Sequence, residues 1–418
     1  MATIARSDDL RRQNQRRVLA ALRRLGPMSR TELSVATGLS ASTVTTITAG
    51  LLDSGAVAEA PASDGVLSRR GRPQVTLSLN PAAACVGAVS LSLNRISAAI
   101  VDYSGQVAAE IVRRVATRAC DEDELAAAMV QALQSAHAGA DAALGPLRHI
   151  AVGVQGVTDS AGTAMLWSPI TTGANLPLAR RFEAAFHVPV TVANDCKLIA
   201  RALRWRQPDQ FGDSFAAVLL SHGIGMGLFV NGSLVGGIGS SATEFGHMTF
   251  EPDGALCRCG RRGCIEAYAG DYAIWRAAHD LDASSQPVED LDMATMARVA
   301  DRARRREGPE RQAYRTAGRA IGAGLRSMFA LFDPFPVAFV GSGAAAFDLL
   351  ERTIRETIGE SAIGMATSEV AMRCFADEFP LVRDGATWSA LSYLDDHVFV
   401  APPLPASASS ERSLGHAL

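Results

Sequence analysis

The sequence lacks any unbroken apolar run of the roughly 18 residues that a membrane helix requires. Its first residues, MATIARSDDLRRQNQRR, carry positive charge with no apolar stretch behind it, so nothing there reads as a signal peptide. Cysteine is scarce and odd in number: seven occur in 418 residues, three of them within Cys257–Cys264. That clustering suits a metal site in a reducing compartment better than a disulfide framework. A cytoplasmic protein with no membrane partner is expected. Net charge is also small, at -3, but it is unevenly split. Residues 1–80 hold 11 arginines against six acidic residues, whereas the remainder holds 29 basic against 37 acidic. A basic head on an acidic body predicts that only the head meets a polyanion.

What is present is ample material for a core. Hydrophobic residues make up 48% and charged residues 20%, which excludes wholesale disorder. The length predicts two to three domains.

In the head, Val18, Leu19, Leu22 and Leu25 share one helical face over residues 13–25, and Gly26-Pro27 ends the run. Ser29-Arg30-Thr31-Glu32 is a capping box opening a short helix that stops at Gly38. Ser40 caps a third helix with Val44, Ile47, Leu51 and Leu52 inward. A strand over Ala56–Glu59, a polar loop and the strand Val75–Leu79 complete a winged helix-turn-helix. The third helix then offers Ser42, Thr43, Thr45 and Thr46, with Ser40 and Arg30 beside them, to phosphates or base edges. Arg69, Arg70 and Arg72, in the loop, form a basic segment suited to a narrow minor groove. The competing reading is a helical oligomerisation module with a solvated charged loop.

From residue 85 the period changes. Cys85–Ser92, Arg95–Asp102 and Val107–Val115 read as three successive strands, followed by a helix over Glu122–Ala138 and the strand His149–Gly153. A related pattern starts again with strands Ser214–Leu220 and Met226–Val230, then a long helical stretch and the strand Val337–Val340. Two hairpin-plus-helix lobes in tandem predict a duplicated α/β architecture with a cleft between them.

His247, Cys257, Cys259 and Cys264 supply one imidazole and three thiolates, a set suited to a closed tetrahedral Zn²⁺ site and hence to a structural role. Gly260 and Gly263 let the chain turn between close ligands. The alternative is three buried cysteines beside a hydrogen-bonded histidine.

The segment from Glu244 to Glu266, with these ligands and glycines in order, resembles the signature of the ROK family (repressors, open reading frames and sugar kinases). With Asn194-Asp195 and the head, the resemblance covers roughly residues 12–400. It implies an α/β, two-lobed actin-like sugar-kinase fold preceded by an N-terminal winged helix-turn-helix, as in the repressor branch. It also implies that Asn194, Asp195, Glu244, His247 and Glu266 read sugar hydroxyls. Carboxylates and amides suit that task. Taken alone, Asn194-Asp195 reads better as a turn or a helix cap; its order with the cysteine segment favours ligand contact. If the zinc pins Glu244 and Glu266, losing it removes the ligand response.

The departures matter. Kinases of this family carry an Asp followed by glycines in the first hairpin turn, where backbone amides cradle phosphate and the Asp handles Mg²⁺. Here Ser90 and Ser92 stand at those positions, so phosphoryl transfer loses positioning and charge neutralisation together. The turn Gly223–Gly227 stays glycine-rich, and Val340–Gly343 resembles the adenosine-side loop. An Asn and an aromatic that the resemblance places near the sugar are missing or displaced, since Ser168–Ala174 departs from the pattern.

The expectation is a non-catalytic, sugar-responsive transcriptional regulator, a repressor. Residues 1–80 bind operator DNA; 81–400 form the effector and oligomerisation domain, with lobes at about 81–195 and 196–385; 401–418 form a disordered tail. Its partners are operator DNA, a sugar or sugar derivative, and further copies of itself in a homodimer or homotetramer. The alternatives are an active sugar kinase fused to a DNA-binding head, and a scaffold with a vestigial ligand site. Residues 10–17 and 296–330 are expected to couple cleft and head.

Overall fold

The computed structural model describes residues 2–60, 75–237, 243–288, 291–359 and 370–399. These form two compact units, one taking residues 1–83 and 392 onward, the other Ala84–Leu391. No single helix among the described residues is long and apolar enough to cross a membrane.

The first unit holds helices α1 (Ala2–Leu25), α2 (Arg30–Thr37) and α3 (Ala41–Asp53) and strands β1 (Met28–Ser29), β2 (Val57–Ala60) and β3 (Thr76–Leu79). The capping box forms as the sequence predicts: Glu32 N–H donates to Ser29 Oγ, and Ser29 N–H to the Glu32 carboxylate. Gly38, at φ 69, closes α2 in the left-handed region, and Ser40 caps α3 by accepting from Thr43 N–H. Helices α2 and α3 meet at 116°, the angle of a helix-turn-helix. Leu19, Leu33, Val44, Leu51 and Leu77 are fully buried beneath them. The sheet runs β1-β3-β2, with β2 and β3 antiparallel as a wing requires. Helix α1 begins well before residue 13, because Ala2–Arg17 continues the helix without a breaker.

In the second unit the first lobe contains β4 (Cys85–Ser92), β5 (Arg95–Asp102), β6 (Val107–Arg114), α4 (Glu122–Ala138), β7 (Leu147–Val154), β8 (Val157–Thr158), β9 (Met165–Trp167), α5 (Leu178–Phe186), β10 (Val190–Asn194) and α6 (Asp195–Arg206). The second lobe contains β11 (Phe215–Leu220), β12 (Ile224–Val230), β13 (Ser233–Leu234), α7 (Glu266–Ala269), α8 (Asp271–Ala278), α9 (Met293–Arg305), α10 (Pro309–Phe332), β14 (Val337–Val340), α11 (Phe347–Gly359) and β15 (Met372–Phe375), after which α12 (Phe379–His397) returns to the first lobe, with Val382 against Gly153 and Arg383 donating to Glu110. The main sheets run β10-β7-β4-β5-β6 and β13-β12-β11-β14-β15. In each, the lobe's first strand pairs antiparallel with the next and parallel with a later one, and a further parallel strand follows. The two lobes therefore share one topology, the duplication that the repeated pattern predicts.

Helix α6 bridges the lobes. It leaves β10 of the first lobe and lies against β12 of the second so closely that a Cβ at Gly227 would stand 2.1 Å from the Cys196 carbonyl oxygen. Glycine is required there by helix packing. The glycine-rich turn is thus explained without a nucleotide. Residues 401–418, read from the sequence as a disordered tail, lie outside the described residues. Helix α12 runs unbroken across the division between the units, its residues from Ser392 grouping with the head.

Candidate functional site

The cleft between the lobes offers about 660 Å³ of space, the open solvent at its mouth included. Asn194, Asp195, Glu244, His247 and Glu266 all line it, so the five residues chosen from the sequence come together. Asn194 and Asp195 stand where β10 meets α6, and the Asn side chain also serves as the helix cap. Its Oδ1 accepts from Lys197 N–H at 3.2 Å, and its Nδ2 donates to the Gly156 carbonyl at 2.9 Å. Asp195 is 8% exposed. Burial pushes its carboxyl up to about 7, against the opposing hydrogen bond from Cys196 N–H and with the Glu378 carboxylate adding to the rise.

Glu266 is buried and bridges the cleft to the cysteine loop. Its Oε2 accepts from Ile224 N–H at 3.0 Å, and its Oε1 lies 3.4 Å from the Tyr272 hydroxyl and 3.6 Å from Cys257 Sγ. Glu244 is half-exposed, with an oxygen 3.8 Å from His247 Nε2. The other ring nitrogen, Nδ1, faces Cys257 Sγ at 3.7 Å. The imidazole therefore presents one edge to the sulfurs and the other to the cleft.

The donor atoms of His247, Cys257, Cys259 and Cys264 lie within 4.8 Å of one another, a set able to hold a metal ion. Cys259 Sγ and Cys264 Sγ are 3.8 Å apart. Tetrahedral zinc with ordinary bond lengths sets sulfur–sulfur distances of about 3.8 Å and sulfur–nitrogen distances of about 3.6 Å, so the donor set fits. Gly263, at φ 76, makes the tight loop possible; a Cβ there would stand 1.8 Å from the Glu251 carbonyl oxygen. Against burial, which raises it, the backbone and side chain of Arg261 hold the Cys259 thiol below its usual range. All seven cysteines are free thiols.

The phosphate side is built differently. The β4–β5 turn is only Leu93-Asn94, with Asn94 at φ 55. Its amides are occupied by the protein: Leu93 N–H donates to Gln155 Oε1 at 3.3 Å and Asn94 N–H to Thr117 Oγ1 at 3.4 Å. Ser90 and Ser92 line a small cavity whose ionisable side chains, among the described residues, are the carboxylates of Asp195 and Glu378. Burial pushes the Glu378 carboxyl up, and Ser221 Oγ donates to it at 3.3 Å.

Several cleft residues had no motif to reveal them. Lys197, the only lysine in the chain, lines the cleft and is 8% exposed. Its place one helical turn after Asn194 was the available signal. Trp167, at the end of β9 and 42% exposed, adds an aromatic to the cleft lining. Glu378 lines the small cavity beside Ser90 and carries no sequence signal, since only the packing of α12, which it precedes, brings it there.

In the head, Ser42, Thr45 and Thr46 are exposed on α3. Ser40 is spent on capping and Thr43 leans on it at 2.8 Å. Arg30 Nε donates to Thr48 Oγ1 at 3.1 Å, which ties α2 to α3. Arg69, Arg70 and Arg72 lie outside the described residues.

With this geometry in place, residues 86–378 match the ROK family, and the chain belongs to it. A xylose repressor of Caldicellulosiruptor bescii is 25% identical over 343 residues, spanning 80% of this chain and 84% of its own. A glucokinase of Streptomyces coelicolor is 28% identical over 290 residues, spanning 66% of this chain and 87% of its own. Among solved structures, a ROK family transcriptional regulator described as a homologue of the E. coli MLC protein superposes with TM-score 0.76. It is 23% identical and matches 94% of this chain and 98% of its own, so the two share a fold that includes the head.

Proposed function

We propose that the protein is a sugar-responsive transcriptional repressor. Its head binds operator DNA, its cleft binds a sugar or sugar derivative without phosphorylating it, and a structural zinc at His247, Cys257, Cys259 and Cys264 braces the cleft. The observation that carries this reading is the state of the phosphate side. Both turn amides are capped by side chains, no metal-binding carboxylate stands at Ser90, and the ionisable side chains lining the adjoining cavity are the carboxylates of Asp195 and Glu378. Phosphoryl transfer needs oriented donors and a held Mg²⁺ at that position. The cleft, by contrast, keeps carboxylates, an amide and an imidazole, groups able to accept from and donate to vicinal hydroxyls.

The zinc would hold its loop closed, with no ligand position left for substrate. Glu266 then stays on Ile224 N–H, and the His247 ring is fixed with Nε2 toward the cleft.

Helix α12 supports a route from cleft to DNA. Its first residues, Phe379 and Val382, wall the cavity beside Asp195, and its last turn carries Asp395 into a buried pair with Arg23 of α1. A sugar that favours one arrangement of the lobes biases α12 and through it the head, provided its affinity differs between the arrangements. In the α1 segment expected to act as coupler, Gln15 and Arg16 meet α12 and the residues after it, contacts that support this role. Two heads in a homodimer or homotetramer would then engage two half-sites.

Genomic footprinting with purified protein, repeated with a sugar panel, tests the reading. Discrete sites released or tightened by one sugar support it, and sites indifferent to every sugar refute the effector role. A kinase reading draws on Asp195, a buried carboxyl with its pKa near neutrality beside the hydroxyl-reading set. Turnover of ATP with any sugar in a coupled assay would establish that reading instead.

A further inference from the structure

Strand β6 ends the sheet order β10-β7-β4-β5-β6 of the first lobe, so one of its edges has no strand beside it. Val115 N–H donates to the Asn94 carbonyl, and the antiparallel register sets Arg95 opposite Arg114 and Ser97 opposite Val112. In that register Arg113 turns its backbone groups toward β5, and Glu110, Val112 and Arg114 turn theirs to the open edge. Among the described residues nothing hydrogen-bonds to these outward amides and carbonyls. Proteins usually blunt such an edge with a short strand, a proline, a lysine or a bulge. β6 is eight residues long without proline or lysine, and its register shift against β5 falls before Ala109.

The side chains alternate. Ile111 packs against the core and Arg113 donates to Ser135 of α4 at 2.8 Å. Glu110, Val112 and Arg114 stand exposed on the other face, Val112 at 46%. Arg114 faces Arg95 directly across the pair, and like charges so placed cost stability. Arg95 is engaged elsewhere, its guanidinium 4.1 Å over the Phe379 ring. Arg114 makes no ion pair or hydrogen bond among the described residues, so its charge calls for an acid from outside. Glu110 accepts from Arg383 and from Ser97, and its half-exposed carboxylate has acceptor capacity left.

We propose that a second copy of the chain occupies this edge, its β6 pairing antiparallel about a two-fold axis through Val112. That register sets Val112 against the partner's Val112, and Glu110 against the partner's Arg114 on both sides of the axis. The outward backbone groups of the three residues pair with those of the partner, and two sheets become one. Centring the axis on Glu110 or on Arg114 would oppose like charges, and centring it on Ile111 or Arg113 leaves Arg114 without an acid opposite. The contact is isologous, so it closes on itself at this edge. It rests on the homo-oligomeric part of the proposed function and not on what the cleft binds.

Sedimentation velocity of the full chain over a dilution series is the test. Arg114→Glu sets a carboxylate against the partner's Glu110, and Glu110→Arg sets a guanidinium against the partner's Arg114. Each alone should weaken self-association at least tenfold. An equimolar mixture of the two should restore it, because every facing pair is then an acid with a base. Val112→Asp changes only an exposed side chain, and should weaken association as much while keeping the wild-type melting transition. It keeps the test decisive if Glu110→Arg disturbs the fold through Arg383. A wild-type chain that stays monomeric would overturn this interface and the homo-oligomeric reading together. An oligomer whose dissociation constant is unchanged in Arg114→Glu and Val112→Asp would overturn this interface alone. So would a mixture of the two folded charge variants that associates no more tightly than either part.

Discussion

The guanidinium of Arg23 donates to both carboxylate oxygens of Asp395, at 2.8 and 3.1 Å, and the two side chains are only 3% and 5% exposed. A pair so buried contributes little net stability when intact, but removing one partner strands the other charge. Arg23→Ala should therefore cost about 3–5 kcal/mol, whereas the double variant Arg23→Leu with Asp395→Leu should recover most of it. Denaturant melts of the three proteins check the energetics. If α12 links cleft and head, the double variant should fold and bind operator yet respond weakly to effector.

Zinc should be stoichiometric and structural. Cys259→Ser, or prolonged chelation, should lower the melting temperature by several degrees and weaken sugar binding at least tenfold, although Cys259 lies outside the cleft lining. Elemental analysis paired with sugar titration measures both. Unchanged sugar affinity in metal-free protein would show that the loop does not brace Glu266 and His247.

Asp195 should make stability depend on pH in a set direction. Burial raises its carboxyl from 3.8 to about 7 in the folded chain, so the folded state holds the proton more tightly than the unfolded one. Its unfavourable contribution is absent below about pH 4, grows as pH rises toward 7 and is complete above that. Asp195→Asn should then be more stable than wild type at pH 8, by up to about 4 kcal/mol, with the gain shrinking at pH 5. Urea midpoints of the two proteins at both values give the comparison. Glu378 faces the same group and is itself raised, so Glu378→Gln should reduce the effect.

The head makes separable predictions. Alanine at Arg69, Arg70 and Arg72 together should flatten the salt dependence of operator binding by about 2–3 units of slope. Thr45→Ala should cost about 1 kcal/mol and leave that slope unchanged. Fluorescence anisotropy across a salt series measures both.

Local signals made much of this molecule legible in the sequence. The capping box at Ser29–Glu32, the cap at Ser40 and the helix Glu122–Ala138 form where their residues place them, because each depends on neighbours in the chain. The cysteine loop was readable for the same reason, its three sulfurs falling within Cys257–Cys264. What sequence could not supply was long-range packing. Glu378 reaches Ser221 from 157 residues away, and Asp395 meets Arg23 across 372. Gly225 and Gly227 read as turn formers, yet their Cβ positions are blocked by Cys196 on a helix from the other lobe. Arg30, read from the sequence as a DNA contact, also ties α2 to Thr48 of α3, a contact the sequence did not signal.

The account is tested most directly by one sample containing the protein, its operator fragment, MgATP and a responsive sugar, with DNA occupancy and ADP formation followed together. Operator occupancy should shift at least tenfold with sugar while ADP stays at the level of the protein-free control. Sustained ADP release that scales with sugar concentration would contradict it.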